Sequence, residues 1–118
     1  GPYLQYTYAR LQGILRKAKR AGKADIAELN TGRDLALMRK IAEFPDALRE
    51  SAETYFPNVV ARYLYALAAL VNQFYETTPI LKDENAPRMG ARLMLVETAA
   101  EVLKKGLGLL GIKAVQRI

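Results

Sequence analysis

Apolar residues recur every three or four positions along most of this chain, which is the period of one face of an α-helix. Leu4, Tyr8, Leu11, Leu15 and Ala18 make the first such stripe. Pro2 suits a helix first turn and Gly22 is a natural stop. A polar connection follows over residues 23–30. Thr31 and Asp34 have the spacing of a capping box, with Asp where Glu is usual. They predict a short helix carrying Leu35, Met38, Ile41 and Ala42. Pro45 and Pro57 predict the first turns of two further helices. The second, running to about Thr77, is apolar on most sides through Val60, Tyr63, Leu64, Leu67, Leu70, Val71 and Phe74. That pattern belongs to a central, buried helix. After a loop with Pro79 and Pro87, a last helix is marked by Met89, Leu93, Val96, Ala100, Leu103 and Leu107, and Gly106, Gly108 and Gly111 predict its break. No alternating run suggests a strand. The expected fold is all-α, a bundle of five helices.

The length of 118 residues suits one domain, 1–118, with no repeat or linker inside it. Cysteine and histidine are both absent. That excludes disulfides, thiolate or imidazole zinc sites, and nucleophilic catalysis by either residue. No Gly-rich phosphate loop occurs, and Gly106-Leu107-Gly108-Leu109-Leu110-Gly111 reads as helix-end chemistry. Asp46, Glu50 and Glu53 have the spacing of an exposed helix face, and Asp83-Glu84 that of a polar turn. No catalytic or metal-ligating residue is expected. The longest uncharged stretch of the most apolar region, Tyr63 to Tyr75, is 13 residues. A spanning helix needs about 20, so no membrane partner is expected. Gly1-Pro2-Tyr3 carries no initiator Met and reads as the cut end of something longer.

Charge is unevenly placed. The net +6 comes from the first 23 residues, where Arg10, Arg16, Lys17, Lys19, Arg20 and Lys23 occur with no acid, while the remainder balances 12 bases against 12 acids. Such a cluster is an electrostatic footprint for a polyanion, or else a solvated helix face. At 100° per residue, Tyr3, Tyr6, Arg10, Gly13 and Lys17 fall roughly opposite the apolar stripe. Tyr offers a ring face to an unstacked base, and Arg pairs with phosphate or a base edge. The residues therefore point to single-stranded nucleic acid, or to a neighbouring domain on which Tyr3 and Tyr6 pack.

Several segments carry a resemblance. Pro2-Tyr3-Leu4-Gln5-Tyr6-Thr7-Tyr8-Ala9-Arg10-Leu11 resembles the first helix of the C-terminal anticodon-binding domain of arginyl-tRNA synthetases. Asp46-Ala47-Leu48-Arg49 is the tetrapeptide after which that DALR domain is named. Asn72-Gln73-Phe74-Tyr75-Glu76, Ala91-Arg92-Leu93-Met94-Leu95-Val96-Glu97 and Gly106-Leu107-Gly108-Leu109-Leu110-Gly111-Ile112 are similar to its later helices and closing turn.

The resemblance implies a fragment of a class I synthetase that attaches arginine to its tRNA with ATP and Mg²⁺. Those cofactors would be held by a catalytic domain of the same chain and none by this fragment. It implies a monomeric cytoplasmic enzyme. The partner would be the anticodon stem-loop of an arginine tRNA. Arginine codons share a middle G, so the base to be read is a middle cytosine. By position, Tyr3, Tyr6, Arg10 and Tyr75 would face the anticodon. So would the C-terminal residue, Ile118 after Arg117, where the family usually has a Met that moulds to a base more readily than a β-branched side chain. Arg16, Lys17 and Arg20 would contact loop phosphates. Tyr8, often His in the family, lies on the core side. Arg92 is expected in an ion pair with Glu97 or Asp34, or on a phosphate. The competing reading is a helical scaffold with little RNA affinity of its own.

Overall fold

A computed structural model of the chain describes residues 2–18, 22–54 and 57–111. All regular structure among them is helical. The first helix, α1, runs Pro2–Lys17 and stops short of Gly22. Its Leu4, Tyr8, Leu11 and Ile14 are buried. The polar connection contains a short 3-10 turn, Ile26–Glu28, capped by Asp25, whose carboxylate accepts from the Ala27 amide at 3.0 Å. The capping box forms as its spacing predicts. Thr31 Oγ1 accepts from the Asp34 amide and Asp34 Oδ2 from the Thr31 amide, both at 3.1 Å, opening α2 at Gly32–Ala42. Leu37 is the apolar residue of α2 that is fully buried, whereas Leu35, assigned to the apolar stripe by its spacing, is exposed.

Phe44–Thr54 forms α3. Glu43 alone separates it from α2, in right-handed helical geometry, with the Ala47 amide bonded back to the Glu43 carbonyl. Five helical segments therefore make four rods among the described residues, because α2 and α3 form one bent rod rather than two separate helices. Pro45 causes the bend: it lacks an N–H and its ring displaces the preceding turn. Pro57–Thr77 forms α4, which packs against α1, α2, α3 and the last helix, α5, Ala86–Leu109. Leu64, Leu67, Val71 and Phe74 of α4 meet Leu4 and Leu11 of α1 and Val96, Leu103 and Leu107 of α5 in one core cluster. Each such side chain contributes about 1.5–3 kcal/mol on leaving water.

Asn85 caps α5, its side chain accepting from the Arg88 amide. The helix does not break at Gly106 or Gly108 but runs through both, and turns at Gly111, whose φ is +76°. Gly106 is there for closeness. A Cβ on it would lie 2.6 Å from both Leu64 methyls, so α4 and α5 touch where only a hydrogen fits.

The buried polar seam is the other organising feature. Arg92 of α5 forks onto Asp34, Nε to Oδ1 and Nη2 to Oδ2, each 3.2 Å, and its Nη1 donates to Asp83 Oδ2 and the Pro79 carbonyl at 3.3 Å. Of the three partners the sequence allowed Arg92, the structure selects Asp34. Burial alone would raise the Asp34 carboxyl. Hydrogen bonds from Arg92 and from Thr31, with the Arg92 charge, hold it below the ordinary carboxylate range instead. Asp83, gripped by the Arg88 guanidinium, is lowered to about 2. No helix among the described residues is long and apolar enough to cross a membrane.

Candidate nucleic-acid interface

Two helices build the site. On α1, Tyr6 and Arg10 are one turn apart. On α4, Asn72, Tyr75 and Glu76 occupy the last turns before Thr77. Asn72 is the half-buried amide of α4 that faces α1, and its bonds explain why α1 sits in this register on α4. Its Nδ2 donates to Thr7 Oγ1 at 2.9 Å and to the Tyr3 hydroxyl at 3.1 Å, while its Oδ1 accepts from Arg10 Nη1 at 2.8 Å. Thr7 Oγ1 in turn donates to the Tyr3 carbonyl. A half-buried amide that uses both its ends in this way fixes its partners firmly.

Arg10 is thereby held between two aromatic rings. Its guanidinium carbon is 4.0 Å from the Tyr75 ring centre and 5.0 Å from that of Tyr6. Glu76 Oε2 lies 3.8 Å from Nη1. The helical wheel puts Arg10 on the outward face of α1, but its side chain is only 19% exposed. The wheel treats α1 as a lone cylinder, and α4 covers one flank of it. Tyr6 and Tyr75 remain exposed at 45% and 39%. The three side chains border a cleft of about 340 Å³ that continues past Gly13 to Arg16 and Lys17 and is flanked by Leu81.

The structure thus brings Tyr6, Arg10 and Tyr75 together, with Arg16 and Lys17 at the far end. Tyr3 stands apart, its ring parallel to Tyr65 of α4. Arg20 and Ile118 lie outside the described residues. Asn72, Tyr65 and Leu81 were not singled out as site residues from the sequence. An amide beside the apolar stripe of the helix was the available signal for Asn72. Tyr65 falls outside the apolar stripe of α4 that includes Tyr63, which is buried with its hydroxyl donating to the Lys40 carbonyl. Burial, and to a lesser degree the nearby Glu43 charge, raise the Tyr63 hydroxyl above its ordinary range. Among the described residues no cluster of carboxylates is arranged to hold a metal.

Residues 4–118 match the family described as the DALR anticodon binding domain. The chain belongs to that family. Its relatives include the arginine–tRNA ligase of Thermococcus kodakarensis, 42% identical over 99% of this chain and 20% of that protein. The arginine–tRNA ligase of Bacteroides thetaiotaomicron is 37% identical over 100% of this chain and 21% of its own length. Among solved structures, Thermus thermophilus arginyl-tRNA synthetase superposes with a TM-score of 0.93 at 38% identity, over 100% of this chain and 21% of that one. The chain therefore spans about a fifth of the length of the relatives it matches. The all-helical architecture is that of the DALR domain.

Proposed function

We propose that this chain is the anticodon-binding domain of an arginine–tRNA ligase, docking the anticodon loop of an arginine tRNA and reading its middle cytosine. The observation that carries the proposal is the cradle of Tyr6, Arg10 and Tyr75. Cytosine offers two acceptors, O2 and N3, on its pairing edge. A guanidinium has five N–H donors, more than its bond to Asn72 uses. The exposed rings of Tyr6 and Tyr75 supply faces for a splayed base. Uracil carries an N3–H where cytosine has an acceptor, so a donor-lined site disfavours it. Arg16 and Lys17, at the end of α1, hold the loop phosphates together with Arg20. ATP and Mg²⁺ belong, in this reading, to the part of the longer, monomeric cytoplasmic enzyme that this chain does not span.

The test compares the anticodon hairpin of an arginine tRNA with one whose middle cytosine is uracil. The chain binds the first more tightly, by about tenfold or more, and affinity falls as salt rises. Arg10→Ala removes the preference. Equal binding of both hairpins by the unaltered chain overturns the reading of the middle base.

A second contact accompanies this one. Ile26 and Met94 are exposed beside Leu29, Met38, Ile41 and Leu95, around an apolar depression of about 250 Å³ on the far side of α5. That surface suits packing against the catalytic part of the same longer chain, which is where the scaffold reading finds its support.

A further inference from the structure

We propose that Tyr65, stacked on Tyr3, forms a second base-stacking platform, which takes an unpaired anticodon-loop nucleotide other than the one held at Tyr6, Arg10 and Tyr75. The inference rests on the reading of the chain as an anticodon-binding domain and extends it to a residue outside the cradle.

The two rings are 5.9 Å apart between centres and inclined by only 3°, a parallel offset stack. Tyr3 is 41% and Tyr65 45% exposed, so the pair is a surface wall and not part of the core. It is also a rigid wall. Asn72 holds the Tyr3 hydroxyl from one side, and the Tyr65 ring lies parallel against the Tyr3 ring. Little side-chain freedom is left to lose when a base arrives.

Placement then decides what arrives. On α4 at 100° per residue, Tyr65 and Asn72 fall within about 20° of one another and Tyr75 about 60° further round, and Asn72 bonds both Tyr3 and Arg10, so platform and cradle adjoin across one strut between α1 and α4. Tyr65 and Tyr75 are ten residues apart in sequence, about 15 Å along the helix axis. That is more than one base spans, so the Tyr65 ring serves a different nucleotide of the same loop from the one at Tyr75. Stacking on a tyrosine face asks little of base identity, in contrast to the donor-lined cradle. The platform adds affinity and orders the loop, and the cradle selects.

The chain contains no Trp, so Tyr65→Trp installs a sole indole at the platform while keeping a flat ring there. The variant is titrated with an arginine-tRNA anticodon hairpin, and binding is followed separately by the anisotropy of a dye on the hairpin stem. Indole emission is expected to quench in step with binding. Tyr65→Ala is expected to weaken the hairpin by about fivefold or more without altering the salt dependence, since the ring carries no charge. Tyr65→Phe should bind like the parent. A hairpin that saturates the Trp variant with its emission unmoved overturns the platform. So does Tyr65→Ala binding as the parent does while Arg10→Ala loses affinity. If the unaltered chain binds no hairpin, the anticodon reading beneath the proposal fails instead, and the platform with it.

Discussion

Removing the Arg92 guanidinium tests the structure at its most exacting point. Arg92 is 5% exposed and the Asp34 carboxylate 0%, and they face each other through two 3.2 Å bonds. Arg92→Met keeps much of the aliphatic stem and deletes the charge. Asp34 would then retain its Thr31 bond and lose its counter-ion in a place water does not reach. Breaking one side of a buried pair costs about 3–5 kcal/mol, because the orphaned charge remains desolvated. Unfolding entropy of about 2.1 cal/mol/K per residue gives about 0.25 kcal/mol/K for a chain of this size, so the melting temperature should fall by about 12–20 °C. Thermal and urea unfolding followed by circular dichroism measure this, and hairpin affinity at a temperature where the variant stays folded should not change. Arg92→Asp would be uninformative, since it adds a third buried carboxylate to Asp34 and Asp83. A melting temperature within about 4 °C of the parent would refute the reasoning, as the seam between α2 and α5 would then not depend on this pair. Lost hairpin affinity in a fully folded Arg92→Met would return Arg92 to the list of phosphate ligands.

Two further predictions concern backbone approach and acid. A Cβ at Gly90 would sit 2.1 Å from the Lys23 carbonyl oxygen and 3.1 Å from Ala24 Cα, so Gly90→Ala must push the loop off α5. It should destabilise by about 1–3 kcal/mol, whereas Gly108→Ala, which faces open space, should stabilise by up to about 1 kcal/mol. Shifts of the same sign in urea midpoint would contradict the packing. The folded-state value for Asp83 is about 2 against 3.8 for the free side chain, and Asp34 is displaced the same way. The folded chain therefore binds fewer protons. This stability is present above about pH 4 and lost as pH falls towards 2. Melting curves at constant ionic strength should show that decline, and Asp83→Asn should make it shallower.

The helical segments were readable from the chain alone because each carries its own punctuation. Thr31 and Asp34 write a capping box into the sequence, Pro57 opens α4, and the three-to-four spacing of Leu4, Tyr8 and Leu11 names the buried face of α1. These signals act over one turn of backbone and need no partner. The concentration of positive charge over the first 23 residues and the likeness to anticodon-binding domains were equally local, being properties of short runs of residues.

What the folded molecule decided is which of these runs meet. Asp34 was read as a cap and as one of several candidate partners of Arg92, and the packing of α5 across α2 selects it and buries the pair. Gly106 was read as a helix breaker and is instead the point where α5 leans on Leu64. Arg10 was placed on an open face, and α4 closes one flank of it with Asn72, Tyr75 and Glu76. The physical reason is common to all three. Caps, periods and charge counts are set by neighbours a few residues away, whereas these three contacts join side chains more than 40 positions apart, and their distances exist only once the helices have packed.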